Sequence, residues 1–190
     1  MSSLDVINEI LNYEFMYHED ILAEFKRPDN SENNDPMMSL KIDNRGGADS
    51  YTIYSFDKDG VDTFPFFNNR GERGLKKICD YILFAQAGDK LVILVIELKS
   101  GSGSSSKQLK ASRVFVEYLI NTAKRLSDSM SLGSQKKIDY KLDNYAIRTI
   151  RITKGQKQGT KMGDFKKADG HIIYDWSTFR IGALLHLPED

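Results

Sequence analysis

Three charged residues, Asp80, Glu97 and Lys99, are placed by their spacing to do chemistry together. Residues 78–86 and 90–99 are apolar, partly β-branched runs, and Ala87-Gly88-Asp89-Lys90 between them reads as a two-residue hairpin turn. With Gly88 and Asp89 at the tip, paired residues carry numbers summing to 177, so Asp80 lies directly opposite Glu97. Side chains alternate along a strand, which puts Lys99 on the same face. Opposed carboxylates with Cβ atoms roughly 4.5–5.5 Å apart repel, and one pKa must rise unless a cation sits between them. Mg²⁺, which takes oxygen ligands, meets that need, and Lys99 would stand beside its bound water. A plain ion pair at a sheet rim is the competing reading. Against it, Val95 and Ile93 precede Glu97 on that face, where charge is costly and is usually kept for function.

The elements that must position this group can be read around it. Residues 4–25 place Leu4, Ile7, Ile10, Leu11, Phe15, His18, Ile21, Leu22 and Phe25 at helical spacing, which predicts an amphipathic first helix broken at Pro28. Residues 27–36 have the composition of a solvated loop. Residues 38–43 and 51–56 read as short strands around the turn former Asn44-Arg45-Gly46-Gly47, and 57–74 as irregular chain. The hairpin is apolar on both faces, with Ile82, Phe84, Ile93 and Val95 on one and Tyr81, Leu83, Leu94 and Ile96 on the other. Such strands belong in the middle of a covered sheet. A Ser/Gly segment over 100–106 is flexible by composition. A second helix follows over 107–128, and residues 138–152 and 171–187 read as three or four strands around a Gly- and Lys-rich loop at 154–170. No internal repeat or second-domain boundary appears, so residues 1–190 are expected to form one domain.

Cys79-Asp80-Tyr81-Ile82, Val95-Ile96-Glu97-Leu98-Lys99 and Lys107-Gln108-Leu109-Lys110 together resemble the PD-(D/E)xK nuclease superfamily. The order of helix, strands, Asp strand, Glu-x-Lys strand and a helix with Gln near its start is similar to that family's common core over residues 4–128. The resemblance implies an α/β (α+β) restriction-endonuclease-like fold, a mixed central sheet flanked by helices, here with an added β-rich part over 136–190. It implies that Asp80, Glu97 and the Leu98 carbonyl hold a divalent metal, Mg²⁺ with Mn²⁺ as substitute. Lys99 would orient or activate the attacking water, and Gln108 would support the site. The residue before the Asp is Cys79 where the family pattern has Pro. Members often add an acid from the first helix, and Glu14 is the leading choice, with Glu9 and Asp49 as rivals.

Other residues carry less. His18, His171 and His186 have no ligand spacing to one another or to Cys79, which argues against zinc. Cys79 reads as a small core residue, and Tyr174, Trp176 and Phe179 as core rather than a stacking platform. No nucleophile elbow surrounds the serines at 102–106, and no Walker-type loop points to ATP.

The net charge is zero, with 27 basic and 27 acidic residues, which argues against a polycationic architectural protein and against an acidic tail. By segment the balance splits: net −8 over 1–98, +11 over 99–167 and −3 over 168–190. Lys136, Lys137, Lys141, Arg148, Arg151, Lys154, Lys157, Lys161, Lys166 and Lys167 form a basic run suited to phosphates rather than to base readout. One Cys allows no internal disulfide, and the apolar run at 91–96 is too short to cross a bilayer, so a cytoplasmic setting without membrane contact is expected. The functional expectation is a divalent-metal-dependent endonuclease hydrolysing phosphodiester bonds, of DNA by the family's leaning, in a defence or restriction role among others, with homodimerisation for cutting both strands. The alternative is a catalytically inactive nuclease-fold module that binds nucleic acid or a partner protein.

Overall fold

The hairpin forms in the expected register. β5 (Tyr81–Ala87) and β6 (Lys90–Lys99) pair antiparallel from Ala87 opposite Lys90 to Tyr81 opposite Ile96. Gly88 sits at the tip with φ of 60°, a left-handed conformation that suits glycine. The computed structural model of the chain describes residues 2–25, 36–57, 61–67, 76–101, 103–129, 142–153, 165–174 and 178–187. Residues 27–35 of the expected loop, and residues 58–60 and 68–74 of the segment read as irregular, lie outside them.

The first helix is shorter than its apolar spacing predicts. α1 (Ser3–Ile10) starts with a capping box in which Ser2 and Asp5 exchange side-chain and backbone bonds, and it stops at an extended Leu11. The Asn12 side chain then accepts from the Glu14 N–H and opens a 3₁₀ turn over Tyr13–Phe15. The rest of the stretch is extended, as β1 (Met16–Tyr17) and β2 (Ile21–Glu24). Asn12, Tyr13, Phe15, Tyr17 and His18 are weak helix formers, and partner strands supply the hydrogen bonds a helix would have made. β3 (Met38–Asp43) and β4 (Ser50–Tyr54) fall where expected.

α2 (Ser106–Ser129) follows the Ser/Gly segment, and β7 (Tyr145–Thr153), β8 (Lys166–Ala168), β9 (His171–Tyr174) and β10 (Thr178–Arg180) complete the strands. The C-terminal strand expected to run on to Leu187 instead ends in a short helix, α3 (Ile181–Leu185). Residues 142–144 form a turn leading into β7.

The fold class is mixed α/β. A seven-stranded mixed sheet runs β1-β4-β5-β6-β7-β9-β8, and a three-stranded sheet runs β10-β3-β2. β4, β5 and β6 are antiparallel neighbours, whereas β6, β7 and β9 run parallel. The C-terminal strands are woven in rather than appended, since β7 lies beside β6 and β10 pairs with β3.

Side-chain alternation divides the core in two. Ile82, Phe84, Leu91, Ile93 and Val95 pack with α1 and α2 through Leu4, Ile7, Leu109, Val116 and Ile120. Leu83, Leu94, Ile96 and Leu98 pack with Leu22, Leu40 and Ile42 of the small sheet and Ile181 and Leu184 of α3. Both faces of β5 and β6 are therefore covered, as their two-sided apolar pattern requires. The odd-numbered face of β6 that buries Leu91, Ile93 and Val95 under the helices also carries Glu97 and Lys99.

Candidate active site

The charged group forms where the ladder of β5 gives out. β5 starts at Tyr81, so Asp80 lies in a bend just outside it, one step beyond the last pair and opposite Glu97. Asp80 Oδ2 accepts the Leu98 N–H at 2.7 Å. The Asp80 side chain thereby replaces the main-chain partner that a longer β5 would have offered. Glu97 is buried, 3% exposed, and its Oε1 lies 2.9 Å from Lys99 Nζ. Glu97 Oε2 is also buried and has no hydrogen-bond partner among the described residues.

Burial dominates the electrostatics. It pushes Glu97 up to about 8, helped by the neighbouring Asp80 charge and opposed by Lys99. Asp80 is raised to about 6 by burial, while the Leu98 N–H and the Lys99 charge pull the other way and Asp57 and Glu24 add to the rise. Burial alone would lower Lys99, but the bond to Glu97 and the charges of Glu97, Asp80 and Glu24 outweigh it and leave its pKa raised. Lys99 is thus a protonated hydrogen-bond donor at neutral pH, suited to orienting a water or a phosphate oxygen and unable to take its proton.

Two acids of this neighbourhood escaped the sequence reading. Glu24, at the end of β2, accepts the Ser100 N–H through Oε2 at 2.7 Å, so the small sheet grips the residue after Lys99. Asp57, exposed just past β4, acts on both Asp80 and Glu97. Glu24 was hidden because residues 11–25 read as helix, and Asp57 because nothing local marks which loop returns to the hairpin end.

The acids expected to complete the site are elsewhere. Glu14 is not on the first helix but on the exposed 3₁₀ turn, where its Oε2 accepts from Asn12 Nδ2 at 3.1 Å. Glu9 is on α1 and exposed. Asp49 accepts the Gly88 N–H at 2.7 Å, at the tip of the hairpin. That is the opposite end of β5, roughly 23 Å away at about 3.3 Å per residue. Gln108 lies half-buried in the first turn of α2, one turn before the buried Ser112.

Ser112 Oγ accepts the Cys79 N–H at 2.7 Å, and both residues are fully buried. Burial also pushes the Cys79 thiol up and keeps it un-ionised, in keeping with a core role. Tyr174 and Phe179 are core residues as expected, while Trp176 lies outside the described residues. His171 is buried, its Nδ1 2.8 Å from Thr149 Oγ1.

The basic run is only partly placed. Lys166 and Lys167 are exposed on β8, and Arg151 reaches the Gly103 carbonyl at 2.9 Å. Arg148 does not belong to a phosphate-facing surface: it is buried and donates to the Leu185 and Leu187 carbonyls at the end of α3. Lys136, Lys137, Lys141, Lys154, Lys157 and Lys161 lie outside the described residues.

Among the described residues no three His, Cys, Asp or Glu side chains converge as a ready ligand set, and no helix is long and apolar enough to cross a membrane. A cavity of about 550 Å³ lies apart from the carboxylates, along β7, bordered by Arg113, Tyr145, Thr149, Phe165 and Lys167. No protein-family model, curated protein or solved structure matches the chain.

Proposed function

We propose that this chain is a divalent-metal-dependent nuclease that hydrolyses phosphodiester bonds, with DNA as its substrate. The observation that carries the reading is Glu97: a carboxylate 3% exposed, with one oxygen unpartnered among the described residues, placed beside the half-buried carboxylate of Asp80. An unpartnered polar atom at that depth is costly. Two hard oxygen donors suit Mg²⁺, which commonly takes only one or two carboxylates and completes its shell with water and substrate phosphate. Asp80 and Glu97 would hold the ion, with the Leu98 carbonyl as a third donor, and once bound it would lower the pKa of water and neutralise charge on the phosphate.

The chain's own residues do the rest. Glu97, raised to about 8 by burial, would release its proton on taking up the ion, whereas Asp80, raised only to about 6, is already largely ionised at neutral pH. Lys99, held by Glu97 and by the Glu24 grip on Ser100, presents an ammonium to the attacking water or to a phosphate oxygen. Leu98 fixes the Asp80 carboxylate through its N–H. Exposed Lys166 and Lys167 extend a positive surface for the backbone of the substrate, and dimerisation to cut both strands belongs to the same reading. The arrangement around the motif supports it too: in the large sheet the antiparallel neighbours β4, β5 and β6 end in Glu-x-Lys, α2 follows with Gln108 in its first turn, and β7 then returns parallel to β6, although β1, β2 and β3 intervene between α1 and β4. The test is cleavage of plasmid and linear DNA with Mg²⁺ or Mn²⁺, with Asp80→Ala and Lys99→Ala as folded, inactive controls. Undiminished cleavage by both variants would sink the proposal.

A second reading has its own support. Lys99 already pairs with Glu97 at 2.9 Å, and no third His, Cys, Asp or Glu side chain joins the two acids as a ligand set among the described residues, which fits a nuclease fold that binds without cutting. Salt-dependent DNA binding with no cleavage, and no heat of Mn²⁺ binding by calorimetry, would select it.

A further inference from the structure

Among its described side chains, the buried face of α2 is apolar through Leu109, Val116, Leu119, Ile120 and Ala123, except at Ser112. Ser112 is 0% exposed, and a hydroxyl at such a place needs a reason. Its Oγ accepts the Cys79 N–H at 2.7 Å. Cys79 precedes β5 and lies in chain that no strand ladder holds. The Cys79 sulfur in turn points its hydrogen at the Tyr81 carbonyl at 3.2 Å, which bends the chain around Asp80. Asp80 is therefore held at two points, by its own carboxylate on the Leu98 N–H and by the Ser112 hydroxyl one residue upstream.

We infer that Ser112 is a positioning residue for Asp80: its hydroxyl, acting through the Cys79 backbone, fixes where the Asp80 carboxylate stands relative to Glu97. It touches neither metal nor substrate. The same bond joins the Asp80 bend to the helix that carries Gln108 one turn earlier, so both are set by one element. The metal-binding consequence rests on the reading of Asp80 and Glu97 as the Mg²⁺ pair, whereas the geometric claim does not.

The experiment compares full-length wild type, Ser112→Ala, Ser112→Thr and Val116→Ala. The first readout is hydrogen exchange of the Leu98 amide relative to Ile93 in mid-strand, measured by NMR without metal. The second is Mn²⁺ affinity by calorimetry. In Ser112→Ala the Leu98 amide is expected to exchange about tenfold faster relative to Ile93, and Mn²⁺ to bind about tenfold more weakly, the scale of losing a supporting partner behind a ligand. Val116→Ala, which cuts into the same helix face but keeps the Ser112 hydroxyl and its bond to the Cys79 N–H, should leave both unchanged. Ser112→Thr, which keeps the acceptor, should stay near wild type. Unchanged Leu98 exchange in Ser112→Ala, or equal defects in Ser112→Thr and Val116→Ala, would overturn the inference. Wild type that binds no Mn²⁺ fails the nuclease reading alone, and the Leu98 amide still decides the role of Ser112.

Discussion

Asp80 takes the Leu98 N–H at 2.7 Å with its side chain, so a catalytic candidate is also the last rung of the β5–β6 ladder. Structure and chemistry share one carboxylate there. Asp80→Asn keeps an acceptor for Leu98 and removes the charge, whereas Asp80→Ala removes both. Both variants should lose about 10²-fold or more of Mg²⁺-dependent cleavage, by analogy with the loss of one preorganised electrostatic group. Only Asp80→Ala should also lose stability, by about 1–3 kcal/mol for the stranded N–H, read as a shift in urea midpoint. Equal midpoints would deny the Leu98 bond a structural role.

The Glu97 pKa sets a pH signature for the metal-free protein. Its folded value is raised from 4.5 to about 8, and that of Asp80 from 3.8 to about 6. Between those limits the folded chain binds more protons than the unfolded chain, so stability falls as pH rises from about 4.5 to 8. The urea midpoint should drop across this window more steeply for wild type than for Glu97→Gln. Saturating Mg²⁺ should flatten the wild-type curve, since it binds the ionised pair. Parallel metal-free curves would mean that burial does not perturb Glu97.

Glu24 separates the tertiary site from the one expected along the chain. Glu24→Ala frees the Ser100 N–H, and with it the strand end that carries Lys99. Cleavage should fall about tenfold, the scale of losing an outer partner. Glu14→Ala and Asp49→Ala, at the exposed 3₁₀ turn and the hairpin tip, should stay near wild type. Loss of activity in either, with Glu24→Ala unaffected, would reverse the assignment.

On the proposed nuclease reading, Arg148 and the β8 lysines divide the basic run into a structural part and a binding part. Arg148→Ala leaves the α3 carbonyls it serves without their buried donor, and should cost about 1–3 kcal/mol of stability with DNA affinity unchanged. Lys166→Ala with Lys167→Ala should leave stability near wild type and reduce the slope of log affinity against log salt by about 1–2. Fluorescence anisotropy over a salt series measures it. An unchanged slope would remove β8 from the DNA-binding surface.

Local pattern alone determined the hairpin of β5 and β6, its register, its two buried faces, the helix α2 and the strands β3 and β4. In each case the information is contained in neighbouring residues: glycine at a left-handed turn, alternation, and apolar spacing. From register followed the meeting of Asp80, Glu97 and Lys99. The stretch 11–25 was ambiguous because its apolar residues suit a helix face as well as short strands, and the choice was made by sheet pairing far along the chain. Glu24 reached the site only through that choice, as Asp57 did through the course of β4. Charge at Arg148 looked the same in the sequence as charge at Lys167, yet α3 folded over one and not the other. Ser112 and Cys79 are 33 residues apart and became partners only when α2 packed on the sheet. Spacing sets what one element presents, whereas burial and long-range contact depend on which elements pack together.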